Sequence, residues 1–138
     1  MGTVIPFRPR CSADPITVVA YQPELDLDDD LGWLLAETEH VRPTAIVSTE
    51  AGLWMAVEQD RPDLVLVVQD FALMRQVSMQ LPPGVAMAYA MRDAEGVRTW
   101  RQSSGGLRAI VAYPLRQREI DMVVAAMRGR RGATWATR

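Results

Sequence analysis

The sequence contains no lysine: all fifteen of its basic residues are arginine. Any mechanism that requires a lysine amine is therefore excluded. The one cysteine, Cys11, cannot pair within the chain, so there is no disulfide framework. It stands in a proline- and arginine-rich stretch and reads as an exposed thiol rather than a nucleophile. The single histidine, His40, has no serine, cysteine or second histidine at a spacing that makes a triad or a metal site. It is expected to sit at the C-terminal end of a helix, where the dipole favours it. No apolar run approaches the ~18–20 residues needed to cross a bilayer, and Met1 to Arg10 lacks the apolar segment of a secretory signal. A cytoplasmic location is the expectation. No GxGxxG or Walker-type loop occurs, which leaves nucleotide binding without a motif.

What is present suits one globular domain. The 138 residues are 49% hydrophobic and 23% charged, with a net charge of −2. That balance argues against a nucleic-acid-binding role for this domain. Arg128, Arg130 and Arg131, followed by Trp135, make a short basic end that reads as a solvated tail. The irregular stretches 1–15 and 129–138 read as tails around a domain spanning 16–128.

Within that span the pattern alternates. The β-branched run Ile16 to Tyr21 predicts a buried strand. Asp28, Asp29 and Asp30 stand where a helix would start, ahead of Leu31, Leu34, Leu35 and Thr38, and Pro43 is expected to stop it. Thr44 to Ser48 reads as a second strand. Thr49 then caps a helix with Leu53, Trp54, Ala56 and Val57 inward, ended by Arg61-Pro62. The unbroken apolar run Leu64 to Val68 predicts a central strand covered on both faces. Phe71 to Leu81 follows as a helix with Leu73, Met74, Val77 and Leu81 as its stripe, and Val85 to Met91 as a fourth strand. Asp93 to Ser103, with Val97 and Trp100 at i and i+3, is expected to be a fourth helix. After Gly105-Gly106, Leu107 to Ala112 predicts a fifth strand and Leu115 to Met127 a fifth helix facing inward through Ile120, Val123, Val124 and Met127. Five strand–helix cycles predict a (βα)5 doubly wound parallel sheet of flavodoxin-like type, strand order 2-1-3-4-5.

Particular residues add a family resemblance. Arg61-Pro62-Asp63-Leu64-Val65-Leu66-Val67 resembles the entry to the third strand of response-regulator receiver domains in bacterial two-component signalling. Ala109 to Leu115 is similar to the end of their fifth strand, Gly105-Gly106 to the turn before it, and Met91-Arg92-Asp93 to the segment after their fourth strand. The likeness runs from about Ile16 to Met127. It implies a site in which an aspartate after the third strand accepts a phosphoryl group, an acidic pair after the first holds Mg²⁺, and a hydroxyl and a lysine contact the phosphate. Carried across, the acidic pair becomes Tyr21 and Gln22, the acceptor Val68, the hydroxyl Ala90 and the lysine Tyr113. The resemblance is thus to the atypical, or pseudo-receiver, branch, with no catalytic residue, no cofactor and no metal site expected. Its residual acidic groups are Glu24, Asp26 and Asp70, which either gather at the C-terminal edge of the sheet or, for Asp70, cap a helix. The bond before Pro114 is typically cis in receivers.

Pseudo-receivers work by contact, and the resemblance points to the face of the fourth helix, fifth strand and fifth helix. Arg98, Trp100, Arg101, Arg108, Tyr113, Arg116 and Arg118 are the candidate interface there, combining the aromatic and guanidinium groups common at hot spots. The expected role is a phosphorylation-independent interaction and dimerisation module with protein partners. Such modules occur on antiterminators, on transcription regulators and ahead of the ATPase of pilus-assembly localisation proteins. Two other readings stand beside it: a phosphorylatable regulator using Asp70 at a displaced site, and a small flavodoxin-like ligand binder.

Overall fold

A computed structural model describes residues 15–23, 31–101 and 106–129. In chain order they form β1 (Ile16–Tyr21), α1 (Leu31–Glu37), β2 (Val41–Val47), α2 (Glu50–Asp60), β3 (Leu64–Val68), α3 (Phe71–Gln80), β4 (Ala86–Met91), β5 (Arg98–Arg101), β6 (Leu107–Ala112) and α4 (Gln117–Arg128). The tails apart from Pro15 and Gly129, Cys11, the helix-start acids Asp28 to Asp30, and Ser103 lie outside the described residues.

The six strands make one mixed α/β sheet in the order β2-β1-β3-β4-β6-β5. All neighbours are parallel except β5 and β6. β3 earns its central place through five consecutive buried apolar residues, each stabilising by about 1.5–3 kcal/mol relative to exposure. Successive residues of each strand face opposite sides, so the core divides in two. Val18, Ala20, Leu66, Val68, Ala88 and Val111 pack with Leu31 and Leu35 of α1 and Ile120, Val123 and Val124 of α4. Val19, Val65, Val67, Met87 and Tyr89 pack with Leu53 and Val57 of α2 and Leu73, Met74 and Val77 of α3. Asp63 closes the opposite end of the sheet, its carboxylate accepting hydrogen bonds from the Thr17 amide at 3.0 Å and the Thr17 hydroxyl at 3.2 Å.

The structure corrects the expected five-by-five pattern and its strand order. No helix occupies 93–101. Arg98–Arg101 is instead an edge strand antiparallel to β6, with Arg98 beside Ile110 and Trp100 beside Arg108. Gly96 at φ 73 turns the chain before it. The i, i+3 pair of Val97 and Trp100 is too short a stripe to outweigh the strand preference of Val, Thr and Trp. All four residues of β5 are exposed, so a helix would have had little to bury there.

Two boundaries also move. β2 begins at Val41 and runs through Pro43, which is tolerated because β2 is the edge strand. Thr44 is an extra residue there, since Val18 pairs with Pro43 and Val19 with Ala45. His40 lies beyond α1 at φ 70 and works as a turn residue, its carbonyl accepting the Ile16 amide at 2.8 Å.

Among the described residues no helix is long and apolar enough to cross a membrane. Thr49 caps α2 by accepting the Gly52 amide at 3.0 Å. Thr49→Ala is expected to cost about 1 kcal/mol, measured as a lower urea midpoint at unchanged slope; an unchanged midpoint would remove the cap from the account.

Candidate functional site

Two regions hold the residues singled out by the sequence: the C-terminal edge of the parallel strands, and the surface of β5, β6 and the start of α4. At the edge, Tyr21 pairs with Val67 and Val68 with Ala90. The Gln69 amide donates to the Ala90 carbonyl at 2.9 Å, and the Tyr113 amide to the Met91 carbonyl at 3.0 Å. Tyr21, Gln22, Val68, Ala90 and Tyr113 therefore stand along one edge.

Their chemistry there is that of a core. Val68 is 1% exposed and packs in the same apolar cluster as Ala20, Ala90, Tyr113 and Leu115. A charged acceptor at that point would be desolvated without a partner. Tyr113 is buried rather than presented to a partner, which corrects its place in the expected interface; the Arg92 guanidinium lies 5.3 Å from its ring centroid. The Tyr113–Pro114 bond is cis.

Asp70 is engaged on both oxygens. One accepts the Leu73 amide at 3.1 Å, capping α3, and the other accepts the Tyr21 hydroxyl at 3.1 Å. Gln69, at φ 54, turns the chain between Val68 and this cap. Burial, then the hydrogen bond to Asp70, pushes the Tyr21 hydroxyl above the ordinary tyrosine value, so it stays protonated and donating at neutral pH. Burial and the same carboxylate raise Tyr89 in turn. Glu24 and Asp26 lie outside the described residues. Among the described residues no group of three His, Cys, Asp or Glu side chains could hold a metal. One polar atom at the edge stands out. Gln22 is 7% exposed, and its Nε2 has no hydrogen-bond partner among the described residues.

At the second region Arg98, Trp100 and Arg101 lie exposed on β5, and Arg116 and Arg118 are exposed at the start of α4. Arg116 also begins α4, its amide donating to Glu119 Oε1 at 3.1 Å. Arg108 is the exception and a second correction. It is 2% exposed and points inward on the α2/α3 side of the sheet. Its Nε donates to Ser78 Oγ at 3.1 Å and its Nη2 to the Ser78 carbonyl at 2.8 Å, both in α3. Its Nη1 donates to the Val85 carbonyl at 2.9 Å and to that of Leu107 at 3.0 Å.

All four acceptors are neutral oxygens. Burial pulls the Arg108 pKa below its usual value, yet a guanidinium remains charged near neutrality. Gly106 makes room for it: a Cβ there would stand 2.7 Å from Arg108 Nη1 and 3.0 Å from the Val85 carbonyl. The sequence carried a signal for this role that the interface reading passed over, a charged residue inside an otherwise apolar strand next to two glycines.

Arg108→Lys is expected to lose about 1.5–3 kcal/mol, because an ammonium cannot reproduce the planar fork and leaves buried carbonyls unmet. Thermal or urea unfolding reads the loss. Wild-type stability in that variant would show that the fork holds nothing.

Comparison with protein families, with curated proteins and with solved structures finds no match to this chain.

Proposed function

We propose that this domain is a phosphorylation-independent interaction module on a receiver-like scaffold, working in the cytoplasm by contact with a protein partner. The observation that carries the reading is Val68, buried in the core at the position where a receiver presents its acceptor aspartate. Support comes from the edge around it. Asp70 has both oxygens committed to the α3 amide and to Tyr21, and the lysine position is a buried tyrosine in a chain without lysine. The parallel strands run β2-β1-β3-β4-β6, with α1 and α4 on one face and α2 and α3 on the other. That arrangement suits a doubly wound, receiver-like scaffold to which β5 has been added in place of a helix. The contact surface is then the exposed strand β5 with the exposed arginines at the start of α4.

The test is direct. The purified chain is incubated with carbamoyl phosphate and Mg²⁺, and its intact mass is measured. No phosphoryl adduct is expected. An adduct that disappears in Asp70→Asn would replace this reading with that of a regulator phosphorylated at a displaced site. Gln22 favours one other reading, a small ligand seated over the edge with the buried amide as its anchor. A nucleotide and flavin panel is expected to leave the melting temperature unchanged, and a saturable rise lost in Gln22→Leu would support that ligand instead.

A further inference from the structure

The two edges of the sheet are built differently. β2 carries Pro43 and an extra residue at Thr44, features that discourage another strand from pairing. β5 has neither. Its register with β6 runs unbroken over Arg98, Thr99, Trp100 and Arg101, and all four are exposed. Among the described residues no strand pairs beyond it. An edge of that kind is a template for another strand.

Symmetry restricts how a second copy of β5 can lie against the first. In an antiparallel ladder, directly opposite residues alternate between hydrogen-bonded and non-hydrogen-bonded pairs. A two-fold axis falling between neighbouring pairs would have to make these unlike pairs equivalent. The axis must therefore pass where a residue faces its own copy. An axis at Arg98 or Arg101 sets an arginine against itself, and like charges directly opposite destabilise a pair. An axis at Trp100 leaves Arg98 opposite position 102, beyond the strand. An axis at Thr99 places Thr99 opposite Thr99 and Arg98 opposite Trp100 twice. Arg101, which already has an interaction of its own, then falls opposite Val97 and nothing is asked of it.

The side chains suit that register. Arg98 and Trp100 share the face of their β6 partners Ile110 and Arg108, and Trp100 is 42% exposed. A guanidinium over an indole is a favourable cation–aromatic pair. Thr99 points to the other face, where two threonine hydroxyls directly opposite can bond to one another. We infer that two copies of this chain join edge to edge through β5, antiparallel, with Thr99 on the two-fold axis and the sheet continuous across both. This inference rests on the interaction-module reading and makes the partner a second copy.

Each copy contributes only a four-residue strand, so the contact is small and the expected Kd is on the order of 100 µM. Sedimentation equilibrium of the full chain across concentrations bracketing that value reads it. Trp100→Arg, which sets arginine opposite arginine twice, is expected to weaken the dimer by at least about tenfold. Adding Arg98→Glu to that variant makes both pairs oppositely charged and is expected to recover most of the loss. Both side chains are exposed, so melting temperatures should stay near that of the wild type. With Cys11→Ser in place, Thr99→Cys is expected to form an intermolecular disulfide under mild oxidation. Arg98→Cys is not, because its own copy lies two positions along the ladder, out of bridging range.

A monomer at every concentration overturns the inference, and so does a dimer that Trp100→Arg leaves intact. Crosslinking of Arg98→Cys as readily as Thr99→Cys would mean contact without this register and would overturn it too. If the chain is monomeric while the carbamoyl phosphate experiment still gives no adduct, the second copy falls and the interaction-module reading stands.

Discussion

The Arg108 guanidinium, buried and bonded among the described residues only to neutral oxygens, ties together three pieces of chain. Two of its bonds reach Ser78 near the end of α3, one reaches Val85 in the turn before β4, and one returns to Leu107 at the start of β6. Removing a guanidinium from water costs several kcal/mol even after relaxation. Four directed hydrogen bonds to carbonyl and hydroxyl oxygens offset that cost only if the fork keeps its place. Gly106 provides the space. These bonds add to the parallel ladder that sets β6 against β4, the strand on which β5 hangs.

Four described helices cover the sheet, α1 and α4 on one face and α2 and α3 on the other. A parallel sheet normally needs cover on both faces. On the α2/α3 side of β6, Arg108 is buried with its head bound to α3, while Ile110 on the same face is only partly covered. Between β4 and β6, Val97 still packs against the core while Arg98–Arg101 forms a solvent-facing strand. The C-terminal edge of the parallel strands follows a similar logic. Val68, Ala90 and Tyr113 extend the apolar core to the edge, and Asp70 and Tyr21 satisfy one another.

Much of this was legible in the residues. The unbroken run Leu64 to Val68, the stripe Leu73, Met74, Val77 and Leu81, and the caps Thr49 and Asp70 are local signals whose physics is the same in sequence and in fold. The missed features depend on distant partners. Pro43 reads as a breaker until β2 is known to be an edge. Trp100 at i+3 from Val97 reads as a helical stripe until β6 supplies a strand for it to pair with. Arg108 reads as surface until Ser78, thirty residues earlier, is seen to receive it. The orphan amide of Gln22 has no sequence signature at all, because its lack of a partner is a property of packing.

The account turns on β5 being an open edge strand where a helix would otherwise lie. Residue-resolved amide hydrogen exchange by NMR on the full chain measures this without any partner. The amides of Leu64 to Val68 should be the slowest. Those of Arg98–Arg101 that face away from β6 should exchange faster by on the order of a hundredfold or more, with extended rather than helical backbone shifts. Protection of Arg98–Arg101 equal to that of β3, or helical shifts across 93–101, would contradict it.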